Sequence, residues 1–202
     1  MLRLYYHPVS TFSQRVRIAL IEKQIAAELV EVDLFTRAQQ RPEYLSKNPY
    51  GRVPAMEEDG VVLYESTAIL EYLEATRPSP PLLPAEARSR AMAAMHMRLC
   101  DLELAEPGRV ILLSKRFLPK ERWRVDQMEE ARPRIQRHFG ILEKQLEGRE
   151  YLVGDQFSLA EVCYAPFLQF ISILDVEPGP ATMSWADRVL ERPSVKETRP
   201  AR

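Results

Sequence analysis

The chain has 202 residues, of which 46% are hydrophobic and 28% are charged, and its formal net charge is −1. This composition is that of an ordinary globular protein and suffices for one domain or two small ones. Its 28 basic and 29 acidic side chains leave no positive excess of the kind that binds nucleic acids. No apolar stretch is long enough to span a bilayer, so neither a nucleic-acid nor a membrane partner is expected.

The two cysteines lie far apart in the sequence. Cys100 and Cys163 match no metal-binding or redox spacing, and both occur in apolar segments. Buried free thiols are therefore predicted, and no metal site is expected. The first residues also lack a charged region followed by an apolar signal core. Free thiols without a secretion signal predict a cytoplasmic protein.

The N-terminal residues predict a strand, a helix and a second strand. Leu2, Leu4 and Tyr6 alternate with other residues, and from Ser13 onward the apolar residues follow helical spacing. Residues 30–34 alternate again between apolar and acidic side chains, which predicts the second strand. A strand, a crossover helix and a strand form a βαβ unit with parallel strands and a right-handed connection.

A hairpin and another helix follow. Apolar residues 53–56 and 61–64 flank a polar segment that ends in Asp59 and Gly60. Asp-Gly between apolar runs is typical of a hairpin turn. Apolar residues at helical spacing then continue to about position 75.

The composition changes at residue 78. Residues 77–84 contain four prolines, which predicts a stiff linker over residues 78–86. No strand signal follows, so residues 87–202 are predicted to form an all-helical domain after an α/β domain of residues 1–77. Within the helical part, Ser158 and Glu161 have the spacing of a capping box.

Three stretches of the first domain could converge on one site. Ser10 stands where the first strand turns into a helix, whose unpaired N–H groups stabilise an anion such as a thiolate. Pro54 follows Val53 at the start of a strand, which indicates either an edge strand or a cis turn that frees the Val53 main chain for a ligand. Glu65 and Ser66 precede the next helix, where Ser66 could cap that helix or help to hold a carboxylate. Simple helix capping by Ser10 is the alternative to a chemical role.

The order and spacing of these stretches resemble the glutathione S-transferase family. The resemblance is carried by residues 10–20, 48–55 and 63–73, and the capping box at Ser158 and residues 185–194 extend it over nearly the whole chain. It implies a thioredoxin-like α/β N-terminal domain, an all-α C-terminal domain and a homodimer. It also implies glutathione and a small hydrophobic electrophile as substrates, in a detoxifying transferase.

The resemblance assigns the thiol-activating role to Ser10. In theta- and zeta-like members the matching serine hydroxyl donates a hydrogen bond to the sulfur of glutathione. A free thiol has a pKa near 8.5, and a hydrogen bond to the thiolate at a helix N-terminus lowers that pKa. Ser10 would thus stabilise the nucleophile that glutathione itself supplies.

The resemblance also assigns the parts of the tripeptide. Val53 matches the residue whose main chain pairs with the cysteinyl part, ahead of a cis proline at Pro54. Glu65 and Ser66 match the pair that holds the γ-glutamyl ammonium and carboxylate.

Three further positions match residues at the ends of the tripeptide. Gln39 and Arg52 match positions that reach the glycyl carboxylate, and a guanidinium suits that anion. Asp101 could place a carboxylate toward the γ-glutamyl ammonium across the dimer.

The motif departs from the zeta-like pattern at the helix start. Thr11, Phe12 and Gln14 replace a serine, a cysteine and a tryptophan, which disfavours a maleylacetoacetate isomerase. Phe12 in the position of the cysteine also argues against disulfide exchange, because no thiol stands at the helix start. The register also leaves Ser13 as a second candidate for the catalytic hydroxyl.

The electrophile pocket is expected between the first strand's loop and helices of the second domain. Its candidate residues are His7, Val9, Phe12, Leu112, Arg116, Phe167 and Phe170.

Three functions remain open from the sequence. The first is glutathione conjugation or a related addition, isomerisation or peroxide reduction. The second is a regulator that binds RNA polymerase, because residues 74–84 also resemble the linker of stringent starvation protein A, which as aligned here lacks a serine at position 10. The third is a glutathione carrier. The presence of Ser10, Arg52, Glu65 and Ser66 together favours the enzyme.

Overall fold

The computed structural model describes residues 1–200, which divide into two compact units. The first unit comprises Met1–Leu83 together with the segment that begins at Pro193, and the second comprises Pro84–Arg192. The first is an α/β unit and the second is helical, as predicted. No helix within residues 1–200 is both long enough and apolar enough to cross a membrane.

The first unit is built on a four-stranded mixed sheet with the strand order β2-β1-β3-β4. β1 and β2 are parallel, as the predicted βαβ unit requires, whereas β3 is antiparallel to both β1 and β4. Its elements are β1 Arg3–Tyr6, α1 Thr11–Glu22, β2 Glu28–Glu31, α2 Pro42–Leu45, β3 Ala55–Glu58, β4 Val61–Tyr64, α3 Ser66–Thr76 and α10 Pro193–Thr198.

The two faces of the sheet have separate cores because side chains alternate along a strand. Leu4 and Met56 lie on one face and pack with apolar residues of α1 and α3. Ala55 lies on the opposite face and packs with Tyr44 of α2 and with Val53.

The second strand lies earlier than predicted. β2 ends at Glu31 because the Asp33 carboxylate accepts hydrogen bonds from the N–H groups of Phe35 and Thr36, which turns the chain. Val32 is nevertheless buried, so the alternation predicted the inward side chain correctly but misplaced the strand end. In the hairpin, Asp59 and Gly60 both have positive φ, the conformation that favours Asp-Gly in two-residue turns.

The second unit consists of helices. Its elements are α4 Ala87–Leu99, α5 Glu106–Phe117, α6 Val125–Leu146, α7 Leu159–Leu168, α8 Ile171–Leu174 and α9 Pro180–Glu191. A π-helical turn, Cys100–Ala105, joins α4 to α5. Both cysteines are buried free thiols, as predicted, and the Cys100 thiol donates to the Cys163 carbonyl.

The capping box at the start of α7 forms as the spacing predicts. The Ser158 hydroxyl accepts the N–H of Ala160 at 3.2 Å and donates to the Glu161 carboxylate at 2.7 Å. The same carboxylate accepts the N–H groups of Leu152 and Ser158. Burial raises the pKa of Glu161, and these donors act in the opposite direction.

The boundaries of the compact units differ from the predicted domain boundaries at residues 77 and 86. Residues 80–83 belong to the first unit because the buried ion pair of Lys23 and Glu74 binds their backbone: Glu74 accepts the N–H groups of Leu82 and Leu83. The last helix also belongs there rather than to the helical unit. Its residue Thr198 makes hydrogen bonds with α1, including one from Arg17 to the Thr198 carbonyl.

Candidate active site

Ser10 lies between β1 and α1 and caps the helix. Its backbone is extended, and its Oγ accepts the N–H of Ser13 at 3.1 Å. A hydroxyl that accepts through a lone pair can still donate its own proton. Among residues 1–200 no acceptor binds the Ser10 O–H, so this hydroxyl can donate to an anion at the positive end of the α1 dipole.

Ser13 has a different environment. It is fully buried, and its Oγ accepts the N–H of His7 at 3.4 Å. A ligand thiol could meet this hydroxyl only after the surrounding residues had moved. Burial therefore separates the two serines, because Ser10 is only half-buried.

A small cleft in the first unit brings together five residues predicted for glutathione binding. They are Arg52, Val53, Pro54, Glu65 and Ser66, and Phe12 and Asn48 complete the lining. Phe12 stands two residues after Ser10 in the first turn of α1. Ser10, Ser13 and Gln39 are not among the residues that line it.

The backbone of Val53 is available to a ligand. The peptide bond between Val53 and Pro54 is cis. Within residues 1–200 the Val53 N–H and C=O make no hydrogen bond, although the residue is buried. Buried backbone groups almost always have a partner, so an unpaired N–H and C=O beside a cleft indicate a position for an extended ligand.

Glu65 has an unusual backbone at the start of α3. Its φ is +73°, a region that non-glycine residues rarely adopt and that occurs most often at functional sites. Ser66 follows and is buried, and its Oγ accepts a hydrogen bond from Arg15 Nη1 at 3.3 Å. Within residues 1–200 neither side chain makes a hydrogen bond that caps α3, so of the two alternatives for Ser66 the simple N-cap is not the one that forms.

Arg15 was not predicted as a site residue. Its guanidinium is fully buried, bonds to Ser66 and lies 4.8 Å above the centre of the Phe12 ring. Fully buried arginines are rare without a specific partner. An arginine on the apolar side of α1, five residues after Ser10, was the signal that could have identified it.

Asn48 was also missed, and it shapes the loop before the cleft. Its side chain donates to the Arg52 carbonyl at 2.7 Å and accepts the N–H of Tyr50 at 3.0 Å. The Tyr44 hydroxyl donates to the same carbonyl. An asparagine ahead of Pro49 and Gly51 is a turn signal that could have shown this role.

The two predicted ligands of the glycyl end lie in neighbouring turns. The Arg52 side chain is exposed. Gln39 stands in a short 3₁₀ turn, and its Oε1 is buried without a hydrogen-bond partner among residues 1–200. A buried amide oxygen without a donor is uncommon in a native protein, and a ligand that supplies one would satisfy it.

The predicted electrophile residues of the first unit have mixed exposure. Val9 is half-buried and Phe12 is exposed. His7 is buried. Its Nδ1 accepts the N–H of Val9, and its ring packs edge-on against Phe35. His7 thus shapes the loop before Ser10.

The electrophile residues predicted in the second unit also differ in burial. Leu112 and Phe167 are buried among the helices. Arg116 is half-buried, and its guanidinium carbon lies 4.9 Å from the centre of the Phe117 ring and 4.3 Å from that of Phe170.

Both halves of the chain match family models. Residues 4–81 match the glutathione S-transferase N-terminal domain, and residues 107–193 match the C-terminal domain of the same family. Maleylacetoacetate isomerase of Rattus norvegicus is 38% identical over 167 residues, which cover 81% of this chain and 74% of that protein. Glutathione S-transferase 2 of Saccharomyces cerevisiae is 30% identical over 208 residues, covering 96% and 88% of the two chains.

The chain belongs to the glutathione S-transferase family. Glutathione transferase F7 from Populus trichocarpa has a similar fold, with a TM-score of 0.87, 26% identity, and coverage of 98% of this chain and 97% of that one. As a glutathione S-transferase, the chain is an enzyme, and glutathione is the substrate that defines its family. The predicted family, fold class and enzymatic nature are thereby confirmed.

Proposed function

We propose that this glutathione S-transferase activates glutathione as a thiolate through a hydrogen bond from the Ser10 hydroxyl. The observation that carries the proposal is the state of that hydroxyl: its oxygen caps α1, and its proton has no acceptor among residues 1–200. A hydrogen bond to the thiolate and the helix N-terminus both lower the pKa of a bound thiol. Ser13, whose hydroxyl is buried, would support the backbone instead.

The remaining parts of the tripeptide fit the chemistry of the cleft. The unpaired N–H and C=O of Val53 would bind the cysteinyl backbone, next to Pro54. Glu65 would bind the γ-glutamyl ammonium, and Ser66, oriented by Arg15, would donate to the γ-glutamyl carboxylate.

Arg52 and Gln39 would hold the carboxylate at the glycyl end of glutathione. The exposed Arg52 guanidinium carries the matching charge. Gln39 would contact the carboxylate through its Nε2 donor, because its unpaired Oε1 is an acceptor and a carboxylate supplies no proton.

The second substrate would be a small electrophile with an apolar part. The residues predicted to contact it, which are His7, Val9 and Phe12 in the first unit and Leu112, Arg116 and Phe167 in the second, stay a prediction. Conjugation is the reaction we favour. Isomerisation is the second candidate, because a relative with 38% identity is named maleylacetoacetate isomerase. The findings give no support to the RNA-polymerase regulator.

We further propose that the enzyme is a cytoplasmic homodimer. Met95, Leu102 and Ile141 expose apolar surface on the helical unit, as a protein that buries part of its surface in a dimer would. Sedimentation equilibrium distinguishes the 23.4 kDa monomer from twice that mass. A monomer at micromolar concentration would contradict the dimer.

The experiment that tests thiol activation combines binding with spectroscopy. Glutathione is titrated into the wild-type protein, Ser10→Ala and Ser13→Ala by calorimetry, and the ultraviolet absorbance of the thiolate is then followed against pH. We expect a thiol pKa at least one unit below that of free glutathione in the wild type, and no such shift in Ser10→Ala. Ser13→Ala is the matched control and should keep the shift. An unshifted pKa in the wild-type complex would contradict activation and leave a carrier, and no binding would remove glutathione as the ligand.

A further inference from the structure

The second unit contains a cavity that shares no lining residue with the cleft of the first unit. It is formed by α4, the C-terminal end of α6 and the loop that follows α6, all within residues 84–192. Met92, Met95 and His96 line it from α4. The proposed reaction uses none of these three side chains, so another role for them can be sought.

The two methionines and the histidine stand on one face of α4. Positions 92, 95 and 96 are related as i, i+3 and i+4, and residues at these spacings are neighbours on the surface of a helix. Met92 is half-buried, and Met95 is 45% exposed. Two thioether side chains and an imidazole ring therefore line the same cavity from one face of the helix.

His96 is the buried member of this set. It is only 2% exposed, and neither of its ring nitrogens makes a hydrogen bond within residues 1–200. Buried polar side-chain atoms almost always have a partner, so an imidazole without one beside a cavity indicates a site for a ligand. A neutral imidazole nitrogen has a free lone pair, and histidine is the commonest metal ligand in proteins.

The available donors and the surrounding charges select the kind of metal. Thioether sulfur is a soft ligand that favours Cu(I), and imidazole also binds copper. Zinc sites use at least three nitrogen, thiolate or carboxylate ligands, whereas the lining described here includes one imidazole and one carboxylate, those of His96 and Glu147. Lys144 and Arg149 also line the cavity, and they repel a monovalent ion less strongly than a divalent one.

We propose that Met92, Met95 and His96 bind one Cu(I) ion through their two sulfur atoms and one imidazole nitrogen. The site does not depend on thiol activation, because none of its residues belongs to the glutathione cleft. The spacing of the two cysteines predicted no metal site, and this one uses no cysteine.

Competition with a coloured chelator measures the affinity. Copper is reduced by ascorbate in the absence of oxygen, held as Cu(I) by bathocuproine disulfonate, and titrated with the full chain. We expect the wild type to remove one Cu(I) ion per chain from the chelator. The double variant Met92→Leu with Met95→Leu keeps the apolar volume and removes both sulfur atoms, so it should bind Cu(I) at least about 100-fold more weakly.

The matched control is Met183→Leu. This change removes an exposed methionine of α9 that does not line the cavity, and its Cu(I) affinity should equal that of the wild type. An unchanged affinity in the double variant, an equal loss in Met183→Leu, or no transfer of copper to the wild type would overturn the proposal.

A spectroscopic test examines the wild-type chain directly. Ag⁺ serves as a redox-inert monovalent probe, and the methyl groups of the seven methionines carry ¹³C. We expect Ag⁺ to shift the methyl signals of Met92 and Met95, assigned from the single Met→Leu variants, and to leave that of Met183 in place. An excess of Zn²⁺ should not reverse these shifts. Unshifted signals of Met92 and Met95, or their reversal by Zn²⁺, would show that the site is wrong.

Discussion

Two helices of this protein begin with a serine cap, and the two caps differ in whether the hydroxyl proton has an acceptor. At α7, the Ser158 hydroxyl accepts one hydrogen bond and donates another to Glu161, inside a fully buried network. At α1, the Ser10 hydroxyl accepts the N–H of Ser13, and no acceptor for its proton occurs among residues 1–200. The N-cap serine of α7 thus both donates and accepts a hydrogen bond, whereas within residues 1–200 the N-cap serine of α1 only accepts one.

The difference bears on the role that we propose for Ser10. A buried cap must satisfy every polar atom, because an unpaired group there costs free energy. A cap that is only half-buried, as Ser10 is, can leave its proton to a ligand. Helix capping and thiol activation are therefore compatible at Ser10, since they use different parts of one hydroxyl. The following predictions test this contrast.

The largest effect is expected from Ser158→Ala. This change removes the cap of α7 and one donor to the buried carboxylate of Glu161. We expect the free energy of unfolding to fall by about 3 kcal/mol, measured by urea denaturation. The pKa of glutathione bound to the folded variant should equal that in the wild type. A large change in that thiol pKa would contradict a purely structural role.

The counterpart is Ser10→Ala, which should affect turnover more than stability. Loss of a hydrogen bond to a charged sulfur should lower kcat/KM about 10- to 100-fold at neutral pH. The loss of the cap should lower unfolding free energy by only about 1 kcal/mol. Ser10→Thr keeps a hydroxyl and serves as the control that should recover most of the activity. Equal turnover in Ser10→Ala and wild type would contradict the role of the spare proton.

The buried polar groups of the second unit should also respond to acid. His138 Nε2 lies 2.9 Å from the Tyr164 hydroxyl, and burial, with a smaller effect of His96, lowers the pKa of His138 to about 4. The pKa of an unfolded histidine is about 6.5. Between these values the unfolded chain binds a proton that the folded chain does not, so stability present above pH 6.5 is lost as the pH falls.

Between pH 6.5 and 5 the loss should reach about 2 kcal/mol. Urea denaturation of wild type and His138→Gln at several pH values measures it. We expect a shallower pH dependence in the variant over that interval. Identical slopes would show that His138 does not carry the effect.

The smallest effect is expected from Ser13→Ala. Its buried Oγ accepts only a long hydrogen bond, 3.4 Å from the N–H of His7. We expect kcat/KM to change less than threefold and unfolding free energy to fall by about 1 kcal/mol. A loss of turnover as large as that of Ser10→Ala would exchange the roles that we propose for the two serines.

Much of the fold followed from local patterns. The Asp-Gly turn, the capping box of α7 and the switch to helical spacing after Ser10 each depend on neighbouring residues, so the sequence displays them directly. The end of β2 did not follow. Asp33 stops that strand by a side-chain hydrogen bond that competes with the apolar alternation of residues 30–34.

The site shows the same division. The sequence by itself determined which residue types could hold a tripeptide, because Ser10, Arg52 and Ser66 stand in a recognisable order. Only the tertiary structure decided which hydroxyl is accessible, since Ser10 and Ser13 are three residues apart and differ in burial rather than in chemistry. It also decided that Arg15 supports Ser66 across 51 residues of chain. Burial and long-range pairing depend on how segments distant in sequence pack together, and the spacing of neighbouring residues does not predict that packing.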